Sequence, residues 1–259
     1  NMDASSDWAN SKILGTSITG NSGFRMLSSP VSGQILGDLL DNLWIQGMTG
    51  GDISWHNSNV WTFDVANQSW TALSDISGSG TSLAAGQGFL VYVFEDTDFD
   101  GIADLPVTIN VSGTENNSDA TYGSIGNGDW GLAGNPYSST LGWDLISKTN
   151  ITSTVYVWDD AASAYKSWNG STGGLTDGLI APYQGFWVEA SGGTGSITIS
   201  TSDKAGQTGT LYRVSDAQES GSVTFDVNSS EFSDQTFISF QSEGEPGLDN
   251  ADAYKLFPL

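Results

Sequence analysis

Two stretches, Ala85-Gly86-Gln87-Gly88-Phe89-Leu90-Val91-Tyr92-Val93 and Pro182-Tyr183-Gln184-Gly185-Phe186-Trp187-Val188-Glu189-Ala190, are versions of one phrase, and Gln87 lies 97 residues before Gln184. In each, Gln-Gly opens a run of β-branched and aromatic residues, the composition of a buried central strand. Working outward, the rest of each neighbourhood also repeats. Phe24 to Pro30 matches Trp130 to Pro136, apolar residues ahead of a proline that cannot continue a ladder. Val60-Trp61-Thr62-Phe63-Asp64 matches Val155-Tyr156-Val157-Trp158-Asp159, and Ser69-Trp70 matches Ser167-Trp168. The offsets are 106 (Phe24 to Trp130), 95 (Val60 to Val155), 98 (Ser69 to Ser167) and 97 (Gln87 to Gln184). They are near-constant after one deletion, which falls on the segment between Pro30 and Val60.

A duplication of domain size is too few repeats for a propeller or solenoid, which need more units to bury their faces. The expectation is an all-β protein of two related β units, with C-terminal strands forming β-sandwich-like domains and one short helix. Residues 1–23 read as an N-terminal arm or edge strand, 24–115 as the first repeat with an acidic loop insertion, 116–200 as the second. Residues 201–259 then supply strands that complete the sandwich, around Leu211 to Val214, Val223 to Val227 and Thr236 to Phe240. The helix is expected over Ile35 to Trp44, where apolar residues fall at helical spacing, for two to three turns.

Composition narrows the function. Thirty acidic residues against seven basic give a net charge of -23. Such a surface repels phosphate backbones and anionic membrane faces and favours cations as partners. No apolar run is long enough to span a membrane. With no cysteine, stability rests on packing and on metal, not on disulfides.

These residues resemble a recurrent region of large cell-surface proteins of Bacteroidetes and relatives exported by the type IX secretion system. The resemblance rests on Gly134-Asn135-Pro136-Tyr137 followed by Trp143-Asp144, and on Val155 to Asp159. It also takes in Gln184-Gly185-Phe186 and Trp44-Ile45-Gln46-Gly47. Asp249 to Leu256 is similar to the stretch such proteins carry shortly before their C-terminal sorting domain. The family more often has a second proline where this chain has Ser138-Ser139. The resemblance covers Phe24 to the end, and implies secretion, surface attachment and a piece of a longer protein. It implies no catalytic residue.

The sharpest local signal is Asp96-Thr97-Asp98-Phe99-Asp100-Gly101-Ile102-Ala103-Asp104. Alternate oxygens in such a loop surround Ca²⁺, and Gly at the sixth position permits the turn. Asp96, Asp98, Asp100 and Asp104 offer carboxylates and Ile102 its carbonyl. The twelfth position is Val107 and not Glu, so the loop is unlike an EF-hand and looks more like the calcium loops of thrombospondin type 3 repeats. The bland reading is a solvated hairpin tip. Ten Trp supply a second signal, since sugar rings stack on exposed aromatics. Trp55, Tyr137 and Trp143 are the expected glycan contacts, against core packing for the rest. Gln87 and Gln184 read as amides that satisfy backbone groups at a turn or bulge.

Catalysis has little support. His56 is the only histidine, and no nucleophile elbow exists. Glu189 and Asp144 are the residual pair for a glycosidase. The expected function is therefore a non-catalytic extracellular module of a secreted bacterial surface protein, stabilised by Ca²⁺ and serving adhesion, matrix or filament structure. Its partners would be a surface glycan or neighbouring protein subunits, including copies of itself through strand donation by residues 1–23. The alternative is a carbohydrate-binding module of a polysaccharide-degrading enzyme.

Overall fold

The computed structural model describes residues 15–78, 82–109, 111 and 114–211, together with the backbone of the strands Ser222–Asn228 and Ser233–Ser239. The chain divides into two units, Asn1–Val214 and Ser215–Leu259. The first contains both copies of the repeat.

In the first copy the elements run β1 (Thr16–Ile18), β2 (Gly23–Leu27), β3 (Gln34–Ile35), a helical turn α1 (Leu36–Leu39), β4 (Val60–Asp64), β5 (Ser69–Ala72), β6 (Ser82–Leu83), β7 (Phe89–Val93) and β8 (Val107–Ile109). The second runs β9 (Ala120–Ile125), β10 (Trp130–Gly134), β11 (Leu141–Gly142), β12 (Ser147–Thr149), β13 (Val155–Asp159), β14 (Ala164–Trp168), β15 (Leu179–Ile180), β16 (Gly185–Glu189) and β17 (Gly195–Ile199). The sheets repeat the order. One is β2-β7-β4-β5 and the other β10-β16-β13-β14, with every pairing antiparallel. The Gln-Gly-Phe strand is second from the edge in both, flanked on each side, which is why its run of Phe, Leu, Val and Trp is almost continuously buried.

Each copy is a small two-layer sandwich. In the first, Leu27, Val60, Phe89, Val91 and Val93 on the inner sheet face pack with Ile18 and Ile109 from the β1-β8 pair. In the second, Val155, Val157, Phe186 and Val188 pack with Ile125, Ile197 and Ile199 from the β12-β17-β9 sheet. Thr16–Ile18 therefore belongs to its own chain's fold as an edge strand, and this part of the 1–23 arm is not donated to a neighbour. Residues 1–14 lie outside the described residues.

The alternate positions of both sheets face each other. Met26, Leu90, Leu132 and Trp187 form a third buried cluster, ringed by Trp61, Phe63, Trp130, Tyr156 and Trp158. Around this joint the two copies exchange equivalent hydrogen bonds. The Ser28 N–H donates to Tyr183 O at 2.9 Å, and the Gly134 N–H donates to Gly86 O at 2.8 Å. Leu27 bridges Gln184, and Ala133 bridges Gln87. Each repeated phrase thus continues the other copy's first strand. Gly86 and Tyr183 both take positive φ, 81° and 64°, a conformation easy for glycine and strained for tyrosine. The Tyr183 ring is buried in the first copy's core.

The β4–β5 and β13–β14 turns finish the pairing with different chemistry. Gln68 accepts the Trp130 N–H at 2.8 Å and donates to Trp130 O at 2.9 Å. From the other turn Asp160 serves the equivalent strand end, accepting the Phe24 N–H at 3.0 Å and pairing with Arg25 at 2.9 Å. Arg25 is 1% exposed, and its guanidinium also donates to three main-chain carbonyls, of Phe24, Thr19 and Asn21. Burial pulls its pKa below the ordinary value, opposed by Asp160.

Two sequence expectations change. The helix is one turn, Leu36–Leu39, not the two to three expected over Ile35 to Trp44. Gly37 and Asp38 are poor helix formers and Ile35 gives no side-chain cap, so the helix stops after one turn, and Leu36, Leu39, Leu40 and Leu43 are placed by their burial and by turn bonds such as Leu40 N–H to Leu36 O. Trp70 does not correspond to Trp168. Trp70 pairs with Phe63 and Tyr165 with Trp158, so Trp70 and Tyr165 are equivalents at the uniform hairpin offset of 95 (70 to 165, 63 to 158). Trp168, opposite Val155, stands instead where the first copy has Leu73 opposite Val60. Of the strands expected over 201–259, β18 (Ser222–Asn228) and β19 (Ser233–Ser239) pair with each other over their whole length. Residues 212–214 and 249–256 lie outside the described residues.

Candidate functional site

The acidic loop leaves β7 and returns to β8. Glu95 O accepts the N–H groups of Asp104 (2.8 Å) and Leu105 (3.2 Å), closing it at the base. Inside, Asp side chains hold the main chain in consecutive tight turns. Asp96 accepts the Gly101 N–H at 2.8 Å, Asp98 that of Asp100 at 3.1 Å, and Asp100 that of Ile102 at 2.8 Å. Asp104 accepts both the N–H (2.6 Å) and the hydroxyl (2.9 Å) of Thr97. Those two bonds hold the Asp104 carboxyl below the ordinary carboxylate range. Gly101 has φ 95° and Phe99 φ 60°.

This folding brings carboxylate oxygens of Asp96, Asp98 and Asp104 within 4.8 Å of one another. Asp100, expected among the ligands, stands outside that cluster, with one oxygen committed to Ile102 N–H. Ile102 is 67% exposed. Asp96 Oδ1 is buried without a hydrogen-bond partner, while the other oxygen of that carboxylate accepts the Gly101 N–H. A buried carboxylate oxygen is costly to leave unpaired. Three carboxylates, hard oxygen donors, fit a divalent cation of the Ca²⁺ class.

The loop rests on the segment that the second copy lacks. The Phe99 ring packs on Trp44 at 4.5 Å and on Phe94 at 5.4 Å. A polar cavity of about 460 Å³ lies between the two, lined by Asp41, Asn42, Thr97, Val107 and Thr108. The two features absent from the second copy are therefore neighbours.

The expected glycan contacts divide. Trp55 is 64% exposed and stacks on His56 at 3.9 Å. Tyr137 and Trp143 are fully buried, so neither can stack on a sugar. Trp143 donates its indole N–H to Ser153 O, lies under Lys148 Nζ at 4.2 Å and packs near Phe186. The Tyr137 hydroxyl is 3.0 Å from both Ser118 O and Ile199 O, and burial first, then Asp119 and Asp203, push its pKa up to about 12. Their Gly/Asn/Ser-rich neighbourhood reads as loop, but Asn135 ties that loop to Ser139, Ile180 and Ala181 and closes it over the core. Gln184 acts as expected, donating to Met26 O and Gly185 O, while Gln87 accepts the Ala84 N–H. Asp144 accepts the Trp168 indole N–H at 3.0 Å.

Sequence reasoning missed a second cavity, of about 600 Å³, between the two sheets. Phe63 and Gln68 line it from the first copy, and Trp130, Tyr156, Tyr165 and Trp187 from the second. The alternation of aromatics on β4 and β13 was its only signal. Among the described residues no helix is long and apolar enough to cross a membrane. The chain matches no family model, no curated protein and no solved structure.

Proposed function

We propose that the chain is a non-catalytic module of a secreted bacterial surface protein, with an adhesion, matrix or filament role, in which Ca²⁺ stiffens the acidic loop. The observation that supports the calcium part is the convergence of Asp96, Asp98 and Asp104 around an unpartnered Asp96 Oδ1. These three side chains would hold the ion. Its charge offsets the mutual repulsion of the carboxylates, and the loop's packing through Phe99 on Trp44 carries that order to the body of the first copy. Extracellular placement and export by the type IX system rest on the sequence resemblance. The net charge of -23 agrees with a role among cations outside the cell.

Thermal unfolding with and without Ca²⁺ tests the reading. Millimolar Ca²⁺ is expected to raise the melting temperature, chelation to reverse it, and Asp98→Asn with Asp104→Asn to abolish the response. Absence of heat in calorimetric titration up to millimolar Ca²⁺, with normal melting of that double variant, removes calcium from the proposal.

A further inference from the structure

The aromatic cavity between the sheets has features that core packing does not require. Its mouth is flanked by large side chains left in solvent at equivalent positions of the two edge strands. Trp70 on β5 is 39% exposed and Tyr165 on β14 is 50% exposed. Trp70 packs edge-on against Phe63 and Trp187. The walls meet steeply, with Phe63 and Trp130 each at 86° to Trp187. An exposed aromatic cluster beside a cavity is a common mark of a binding site, and about 300–1,000 Å³ is the usual range for small ligands.

The polar groups narrow the ligand. Gln68 is committed to Val65 O and to both main-chain groups of Trp130, so it serves as wall. Tyr156 and Tyr165 bring two hydroxyls, each able to donate and accept, to the lining. The Trp187 indole N–H is buried and faces the half-exposed Tyr165 phenol. No charged side chain is among the lining residues. An anionic ligand would meet no counter-charge here and a net charge of -23 around it. A quaternary ammonium takes aromatic faces but uses no hydroxyl or N–H. A pyranose uses both kinds of group, with its C–H faces against rings and its equatorial hydroxyls at their edges.

We infer that this inter-repeat cavity binds a neutral pyranose unit of a glycan, with Trp130, Tyr156 and Tyr165 as its contact residues. The site lies away from the acidic loop and does not depend on Ca²⁺. It also places glycan recognition at the joint of the copies and not at Trp55.

Titration of the whole chain with neutral oligosaccharides (glucan, mannan, xylan and N-acetylglucosamine fragments), a uronate oligomer and tetramethylammonium, followed by tryptophan fluorescence and calorimetry, tests this. At least one neutral oligosaccharide is expected to bind. Tyr165→Ala should weaken it about tenfold, and Tyr165→Phe or Tyr156→Phe a few fold, with unchanged melting temperature. Trp55→Ala should bind as the parent does. No binding by any neutral sugar, a response to tetramethylammonium or uronate alone, or sugar binding that Trp55→Ala abolishes and the tyrosine variants leave intact, would each overturn the assignment.

Discussion

The two copies share a four-stranded sheet with the same order and register, yet the strand after that sheet is reached differently. In the first copy it follows the acidic loop, and in the second it follows the short Gly-rich turn Ser191 to Thr194. The outer layer differs too, a strand pair in the first copy and three strands in the second. The layer that carries the joint has stayed constant, while the layers that face solvent have diverged. A sheet whose two faces are both buried tolerates little change, because a one-residue slip exchanges the residues that each face is packed to hold. A connecting loop has no such constraint.

The joint itself offers the largest way to break that symmetry. Asp160→Ala leaves the Arg25 guanidinium buried without its counter-charge, and about 3–5 kcal/mol of stability should be lost. Gln68→Ala, at the equivalent neutral clamp, should cost about 1–3 kcal/mol. Urea unfolding of both variants measures the difference, and equal losses would show that the charge adds nothing to the clamp.

A smaller effect separates the two glycines of the repeated phrase. A Cβ at Gly88 would lie 2.5 Å from Ala133 O, against 3.0 Å from Leu27 O for one at Gly185. Gly88→Ala should therefore destabilise by about 1–3 kcal/mol and exceed Gly185→Ala in the same assay. The reverse order would mean that the copies do not approach each other as their hydrogen bonds indicate.

The smallest effect is acid sensitivity in the first copy. Asp104, bonded to Thr97, Asp75, bonded to Ser77, and Asp64, bonded to Asn67, all titrate below the ordinary value of 3.8. A depressed folded pKa gives stability that is present above the unfolded value and lost as pH falls through the folded one. Amide exchange at Thr97, Ser77 and Ala66 should accelerate as pH falls below about 4, relative to the sheet amides. Uniform behaviour across the chain would count against these turns as the acid-labile part.

The sheet order was legible because the repeat preserves strand patterns, and Val-x-Val or Phe-Leu-Val runs have few other homes. The helix was overread because Leu36, Leu39, Leu40 and Leu43 sit at helical spacing for reasons of burial, with Gly37 against the backbone of Ile76. The equation of Trp70 with Trp168 failed because a shared residue type outweighed the hairpin register. The carboxylates of the acidic loop were visible as spacing, but which three converge depends on the turns that each side chain caps. Tyr137 and Trp143 looked like loop aromatics because polar neighbours conceal a closed loop. The Gln68 and Asp160 clamps leave no common sequence signal, since an amide and a carboxylate do the same task from different positions of the two turns.

The crossed hydrogen bonds of the joint have a consequence for assembly. A patch that matches its equivalent through a two-fold relation is what an isologous homodimer interface consists of. Here both partners lie on one chain, so association that would depend on concentration between separate molecules is intramolecular. Covalent linkage also removes the requirement that the halves be identical. Arg25 can then seek a carboxylate on one side while Trp130 takes an amide on the other, and a cavity can form beside the amide clamp with different walls from each half.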